Sequence, residues 1–363
     1  IGTTALFYNT ASNNTAVGHE AGFSNTSGTE ITAIGYQALN ANTTGIRNTA
    51  VGFIALSGNT TGTRNAAFGS YTLIQNTTGT QNTAIGDVAL QNNTTASNNT
   101  VLGYASMYSN TTGESNTSVG SESLFANTTG NFNTNIGFQT LRYNTTGSGN
   151  TADGYRALYN NTTGIYNTAS GQSALSSNTT GNNNVAIGLN TLYNNNADNN
   201  TAVGFQAGNA NTTGSNNIFI GYQATGVSAT DSNRTWIGNS STTSTWLAGN
   251  VLIGTTTDAG YKLDVNGNVI ITGSLTVTDT VSSSNLVVSG GASLFYETIE
   301  TAVTGTNAYI LYSTQKDKLV AFPGLYVSGA ITASTAFSAS NIGATTAVFS
   351  EVTASSIFFS ASN

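Results

Sequence analysis

Few side chains in this chain are of a type that could do chemistry. The only histidine is His19, followed by Glu20. A single imidazole cannot supply a zinc ligand set, and no carboxylate cluster lies near it in sequence. His19 therefore reads as a solvent-facing variant of an aromatic slot. Asp153 and Ser170 depart from pattern in another way, standing where neighbouring segments carry Ile or Val, with Asn135 at the adjacent position one segment earlier. A buried carboxylate is costly unless paired or ligated. These three residues read either as an internal ion or water site supported by Arg156 or Arg142, or as a wet interface with Asp153 reaching solvent or Arg156. One carboxylate is a thin ligand set, which favours the wet interface. Aromatic residues recur one or five positions past a repeated glycine, among them Tyr36, Phe53, Tyr104 and Tyr155. Exposed, these rings would be stacking platforms for sugar or protein; buried, they would pack subunits together, and packing is expected for most of them.

The segment that must position all of these is a repeat of seventeen residues, typified by Asn48 to Arg64, NTAVGFIALSGNTTGTR. Its glycine recurs at seventeen-residue intervals from Gly18 through Gly52 to Gly188. The series extends back to Gly2 and on to Gly254, with three intervals of sixteen. A fixed short period means a solenoid or an array. The residue before the glycine is apolar in most copies (Val17, Ile34, Val51, Phe68, Ile85), and Leu recurs four after it (Leu39, Leu56, Leu73, Leu90). Two large apolar residues per coil close a core only by stacking on the next coil. Val51 and Leu56 are accordingly assigned to the core. Two Asn columns, typified by Asn48 and Asn59, are expected at two corners joined by two short strands, with Gly52 and Gly62 allowing positive φ. Helix is rejected, because Thr-Thr-Gly interrupts nearly every copy and β-branched residues crowd the apolar slots. The fold class is all-β: a parallel β-roll solenoid of ~17-residue coils, closed by trimerisation of its flat apolar face. A β-rich neck and a fibrous β shaft follow. On a threefold axis, the Asp153 set would meet its own copies.

Composition sets the exclusions. Only 6% of the residues are charged, 15 acidic against 8 basic for a formal charge of −7, with no basic stripe to bind a phosphate backbone. Nucleic acid is not an expected partner. No apolar run approaches the ~20 residues that span a bilayer, so no membrane insertion is expected in this segment. There is no cysteine, hence no disulfide framework or thiolate chemistry. The chain opens at Ile1 inside a repeat and stops at Asn363 inside a patterned segment, as a piece of a longer polypeptide would. No catalytic residue, cofactor or metal is expected, and the chain is read as non-enzymatic.

The phrase Asn-Thr-Ala-Val/Ile-Gly, at Asn48 to Gly52 and Asn82 to Gly86, resembles the head repeat of YadA-like trimeric autotransporter adhesins. That family forms a trimeric left-handed parallel β-roll, and the likeness covers about two thirds of this chain. The adhesin-head repeat is shorter, so the extra Thr-Thr-Gly corner makes each coil here larger. The same kind of repeat appears in phage tail-fibre proteins. Tyr261 to Asn268 further resembles the segment preceding the shaft and C-terminal chaperone of phage and Bacteroidetes tail-fibre-like proteins. Its residues also read as a hairpin around an Asn-Gly turn. The expected organisation is a solenoid head at 1–254, a neck or hairpin connector at 255–290, a small β insertion at 291–326 and a fibrous shaft at 327–363. Trp236 and Trp246, where small residues stood before, are expected to cap the solenoid. The resemblance implies a homotrimeric, receptor-binding fibre protein that attaches a virion to a host surface glycan or protein, with Tyr36, Phe53, Tyr104 and Tyr155 as binding candidates. A bacterial surface adhesin of the trimeric autotransporter type is the first alternative. A polysaccharide-degrading tailspike is the second, although the coils carry only eight acidic residues, none repeated in register.

Overall fold

A three-residue strand has room for one inward side chain, and that fact sets the architecture of this chain. The computed structural model describes residues 2–242 except Val227, together with 244, 245, 247, 251–253, 263–265, 269, 319–320 and 337–338. Each coil contributes one strand, from β1 (Thr15–Val17) to β14 (Thr235–Ile237), and the fourteen stack in sequence order into one sheet. Every pairing is parallel and in register, so that Ala50 lies on Ala67 and Val51 on Phe68. The chain is a parallel β-solenoid. At ~4.8 Å per strand spacing, the thirteen steps make a sheet roughly 60 Å long. The sheet ends at Ile237, and a further strand, Val251–Ile253, stands before the Gly254 boundary expected for the head. The expected neck hairpin, the insertion at 291–326 and the shaft at 327–363 lie outside the described residues. The exceptions are a strand at Leu263–Val265 and, in a second unit of the chain, the parallel pair Leu319–Val320 and Phe337–Ser338.

The strand's inward residue is the small one. Ala33, Ala50, Ala67 and Ala84 are fully buried, and Leu39, Leu56, Leu73 and Leu90 meet them from the turn segment. Burying each Leu contributes roughly 1.5–3 kcal/mol. The assignment of Val51 to the core is therefore reversed. The residue before each glycine points outward, and Ile85 and Ile187 are 39% and 44% exposed. Alternation explains this, since in Thr-Ala-Val the first and third residues share the outer face. Val101 and Phe219 take the inward slot where Ala is absent, and Phe219 stacks on Trp236 at 4.8 Å. Trp246 is outside the described residues.

Only one strand forms per coil, not two. The rest of the coil is a chain of turns, held by backbone hydrogen bonds to the coils on either side. Thus Ile54 N–H donates to Tyr36 O at 2.9 Å, while Leu56 and Gly58 donate to Thr72 and Ile74 at 2.9 Å. Ile54, Leu56 and Arg64 all sit at positive φ, near 52–58°, a conformation that bulky residues rarely adopt.

The two Asn columns meet at one corner rather than marking two. Asn59 Nδ2 donates to Gly62 O at 3.0 Å, and Asn48 Nδ2, at the start of the same repeat, donates to the same carbonyl at 2.7 Å. Asn59 also donates to Asn42 Oδ1 at 2.8 Å, and Asn65 N–H to Asn48 Oδ1 at 3.0 Å, so each column is a continuous ladder. Both are fully buried over most of the solenoid. Such a ladder satisfies amides that would otherwise be orphaned in the interior. Gly52 does hold positive φ, at 144°. Gly62 does not; it is glycine because a Cβ there would run into Asn59 Oδ1 and the Gly79 carbonyl.

Candidate functional site

The three residues grouped as an internal polar site are separated by the sheet. Asp153 and Ser170 occupy the outward slot of β9 (Thr151–Asp153) and β10 (Thr168–Ser170) and lie beside one another in register. Asp153 is exposed and makes no ion pair with Arg156 among the described residues. No buried carboxylate has to be compensated. Asn135 occupies the inward slot and is fully buried. It donates to Ser118 Oγ at 2.8 Å and to Ser123 Oγ, within a chain of hydroxyls. Ser118 also meets Ser106 at 2.8 Å, and Ser123 meets Thr140 at 2.7 Å. These Ser and Thr stand where most coils carry Ala, so the polar network substitutes locally for the Ala column. Asn135 Oδ1 alone in this network has no partner.

His19 lies on the aromatic column, with its ring 5.3 Å from Tyr36 and its Nε2 3.6 Å from Glu20. Tyr36 in turn stacks on Phe53 at 5.3 Å. Tyr36, Phe53, Tyr104 and Tyr155 are all 42–55% exposed. Within this single chain, the four candidates are surface rings.

One group of side chains was missed by reading single columns of the repeat. Positions two, five and six residues past the glycine converge across the coils around Arg142 and Arg156. Glu122 Oε2 accepts from Gln139 Nε2 at 2.8 Å, and Gln139 Oε1 accepts from Arg156 Nε at 2.9 Å, forming a relay over three coils. Arg142 Nε lies 2.9 Å from the same Glu122 oxygen, close in charge but off the angle of a hydrogen bond. Its guanidinium sits 5.3 Å from both the Phe125 and Tyr143 rings. Arg156 sits 5.1 Å from Tyr155 and 4.9 Å from Tyr159. Stacking of this kind adds cation–π attraction and restrains both guanidinium planes. The Tyr143 hydroxyl donates toward Tyr159 and, with smaller help from Arg142 and Arg156, pulls the Tyr159 hydroxyl below its ordinary range. The same bond pushes Tyr143 up. The signal available in sequence was the spacing: Arg142 and Arg156 fall in neighbouring coils, each next to a Tyr.

No known family model matches the chain, and no curated protein matches it. No helix among the described residues is long and apolar enough to cross a membrane.

Proposed function

We propose that this chain is a non-enzymatic, receptor-binding segment of a phage or phage-like tail fibre that attaches a virion to its host surface. The observation that carries this reading is the outer row of the sheet. Val17, Ile34, Ile85, Leu102, Ile136, Ile187, Val203 and Ile220 all stand 38–48% exposed along one stacked face. This row spans roughly 60 Å, interrupted only by Asp153 and Ser170, and is longer than a solitary soluble molecule usually leaves uncovered. Side-by-side homotrimerisation covers it, and three thin rods become one stiff one. The likeness of Asn48 to Gly52 to the YadA-like head repeat supports both the trimer and an extracellular or virion location. The tail-fibre reading is preferred over a bacterial trimeric autotransporter-type adhesin on the further likeness at Tyr261 to Asn268. The ligand would be a host or cell-surface glycan or protein, with no cofactor and no nucleic acid.

Two measurements test this. Sedimentation equilibrium should give three times the chain mass of 37.1 kDa; a single-chain mass while the β-signature persists would refute the assembly. Labelled protein should decorate bacterial cells and block adsorption of the particle that carries it. Release of oligosaccharide from capsular glycan would instead establish the tailspike alternative.

A further inference from the structure

We infer that the cluster around Arg156 is a glycan subsite, and that it selects sugars bearing a carboxylate. The inference rests on the receptor-binding reading above and goes further in naming the site and the ligand class.

Three observations carry it. The one ion pair of the neighbouring coils is already made, with Arg142 engaged by Glu122. Arg156 has no carboxylate partner among the described residues. Its Nε is committed to Gln139, and no hydrogen bond from its terminal Nη groups is made among the described residues. That leaves a planar fork suited to taking a carboxylate with two parallel bonds. Beside it, Tyr155 is 42% exposed and stacks on Phe138, itself 44% exposed, at 5.8 Å and nearly parallel. The two rings cover one another's faces, so what they offer a bound sugar is their exposed edges and the Tyr155 hydroxyl, beside the fork. Finally, the fork is positioned in advance. The relay through Gln139 to Glu122, together with the flanking Tyr155 and Tyr159 rings, restrains Arg156, so little side-chain freedom is lost on binding. Asp153, exposed on the adjoining strand, is the only carboxylate within three residues of Arg156 in sequence.

An array printing sialic- and uronic-acid oligosaccharides, each beside its carboxyl-reduced neutral form, tests this on the full chain. The wild type should bind acidic spots over their reduced partners. Arg156→Gln should weaken acidic binding by about tenfold or more, as expected for loss of a charge-assisted pair, with an unchanged melting curve. Tyr155→Ala should weaken both forms, whereas Tyr222→Ala, on an exposed ring four coils away, should leave acidic binding intact. Equal binding of reduced spots, or indifference to Arg156→Gln, would overturn the site. So would a fall in assembly mass for Tyr155→Ala, which would place the ring between subunits. If no acidic spot is bound, the subsite is refuted; retained decoration of whole cells would then leave the fibre reading standing.

Discussion

Truncating one amide in the inner Asn ladder, by Asn93→Ala, should weaken the solenoid far more than its single side chain suggests. Asn93 Nδ2 donates to Asn76 Oδ1 at 2.9 Å and to Ala96 O at 3.0 Å, and Asn93 Oδ1 accepts from Asn110 Nδ2 at 3.0 Å. Ala96 O keeps a donor in Asn82, and Asn110 keeps an acceptor in Gly113 O. Asn76 Oδ1 is left with none of its donors while fully buried. The orphaned acceptor costs about 1–3 kcal/mol and the net bond lost about 1, so the expected loss is about 2–4 kcal/mol. A stacked array need not unfold in one step, so a global midpoint would blur this effect. Amide exchange resolves it locally. The Thr77 N–H to Thr94 O and Thr94 N–H to Thr111 O bonds flank the lesion, and their protection should drop by about 30- to 1,000-fold. Thr26, several coils away, should change little. Asn93→Asp sharpens the test, because an ionised carboxylate cannot donate to Asn76 Oδ1 or Ala96 O. Its folded-state pKa is then raised above the unfolded value of ~3.9. The folded form binds the extra proton, so the variant should lose stability as pH rises past ~4 and approach wild type below it. If Asn93→Ala alters exchange no more than Thr112→Ala, on an exposed turn, the ladder does not hold the coils together.

Other outcomes follow from the same geometry. Leu90→Ala should cost about 2–5 kcal/mol because its slot is sealed, whereas Ile85→Ala in the isolated chain should cost less than about 1; comparable losses by denaturant titration would contradict the inward and outward assignment. Ile85→Glu with Leu102→Glu should leave the circular-dichroism spectrum unchanged yet reduce the sedimenting mass to one chain. Gly52→Ala should cost about 3 kcal/mol or more, since a Cβ at φ 144° would strike the Gly69 carbonyl, and thermal melting reads it directly. Tyr143→Phe removes the hydroxyl that holds Tyr159 low. In a spectrophotometric titration, the early-ionising tyrosine should then move up toward the ordinary range, and no movement would refute the pairing.

How much of this was legible depended on which physical rule governed each slot. The seventeen-residue period, the parallel stacking and the Leu column could all be read, because a repeat that cannot bury its own apolar side chains must bury them on its neighbours. The Val51 slot was misread because size was taken as a sign of burial. The interior of this coil is filled by the small Ala50 opposite Leu56, and the bulky Val faces out. The chain itself held the clue. The inward slot is Ala in most coils, while the outward slot accepts Val, Phe, Leu, Asp153 and Ser170 in turn. A slot that tolerates Asp is a surface slot. The convergence of both Asn columns on Gly62 O depends on how the turn after Asn59 closes, which spacing does not reveal. The Glu122–Gln139–Arg156 relay links three coils and is invisible within any one of them.

The same closure explains why the coil cannot exist alone. Ile54, Leu56 and Arg64 hold a left-handed backbone, which costs roughly 1–2 kcal/mol per residue for L-amino acids. Within one coil, little offsets that cost. The stabilising partners lie in the coils above and below: Ile54 N–H reaches down to Tyr36, Arg64 N–H reaches down to Ile46, and Leu56 N–H reaches up to Thr72. The strain belongs to each coil, and the hydrogen bonds that offset it belong to the interfaces between coils. Two neighbours are therefore the condition for a coil to hold its shape, and the terminal coils are the least protected. A fold organised this way gains from every added copy of the repeat. The recognition proposed above is consequently free to sit where copies differ, and the Arg156 cluster lies in the interior of the stack, with neighbours on both sides to hold it rigid.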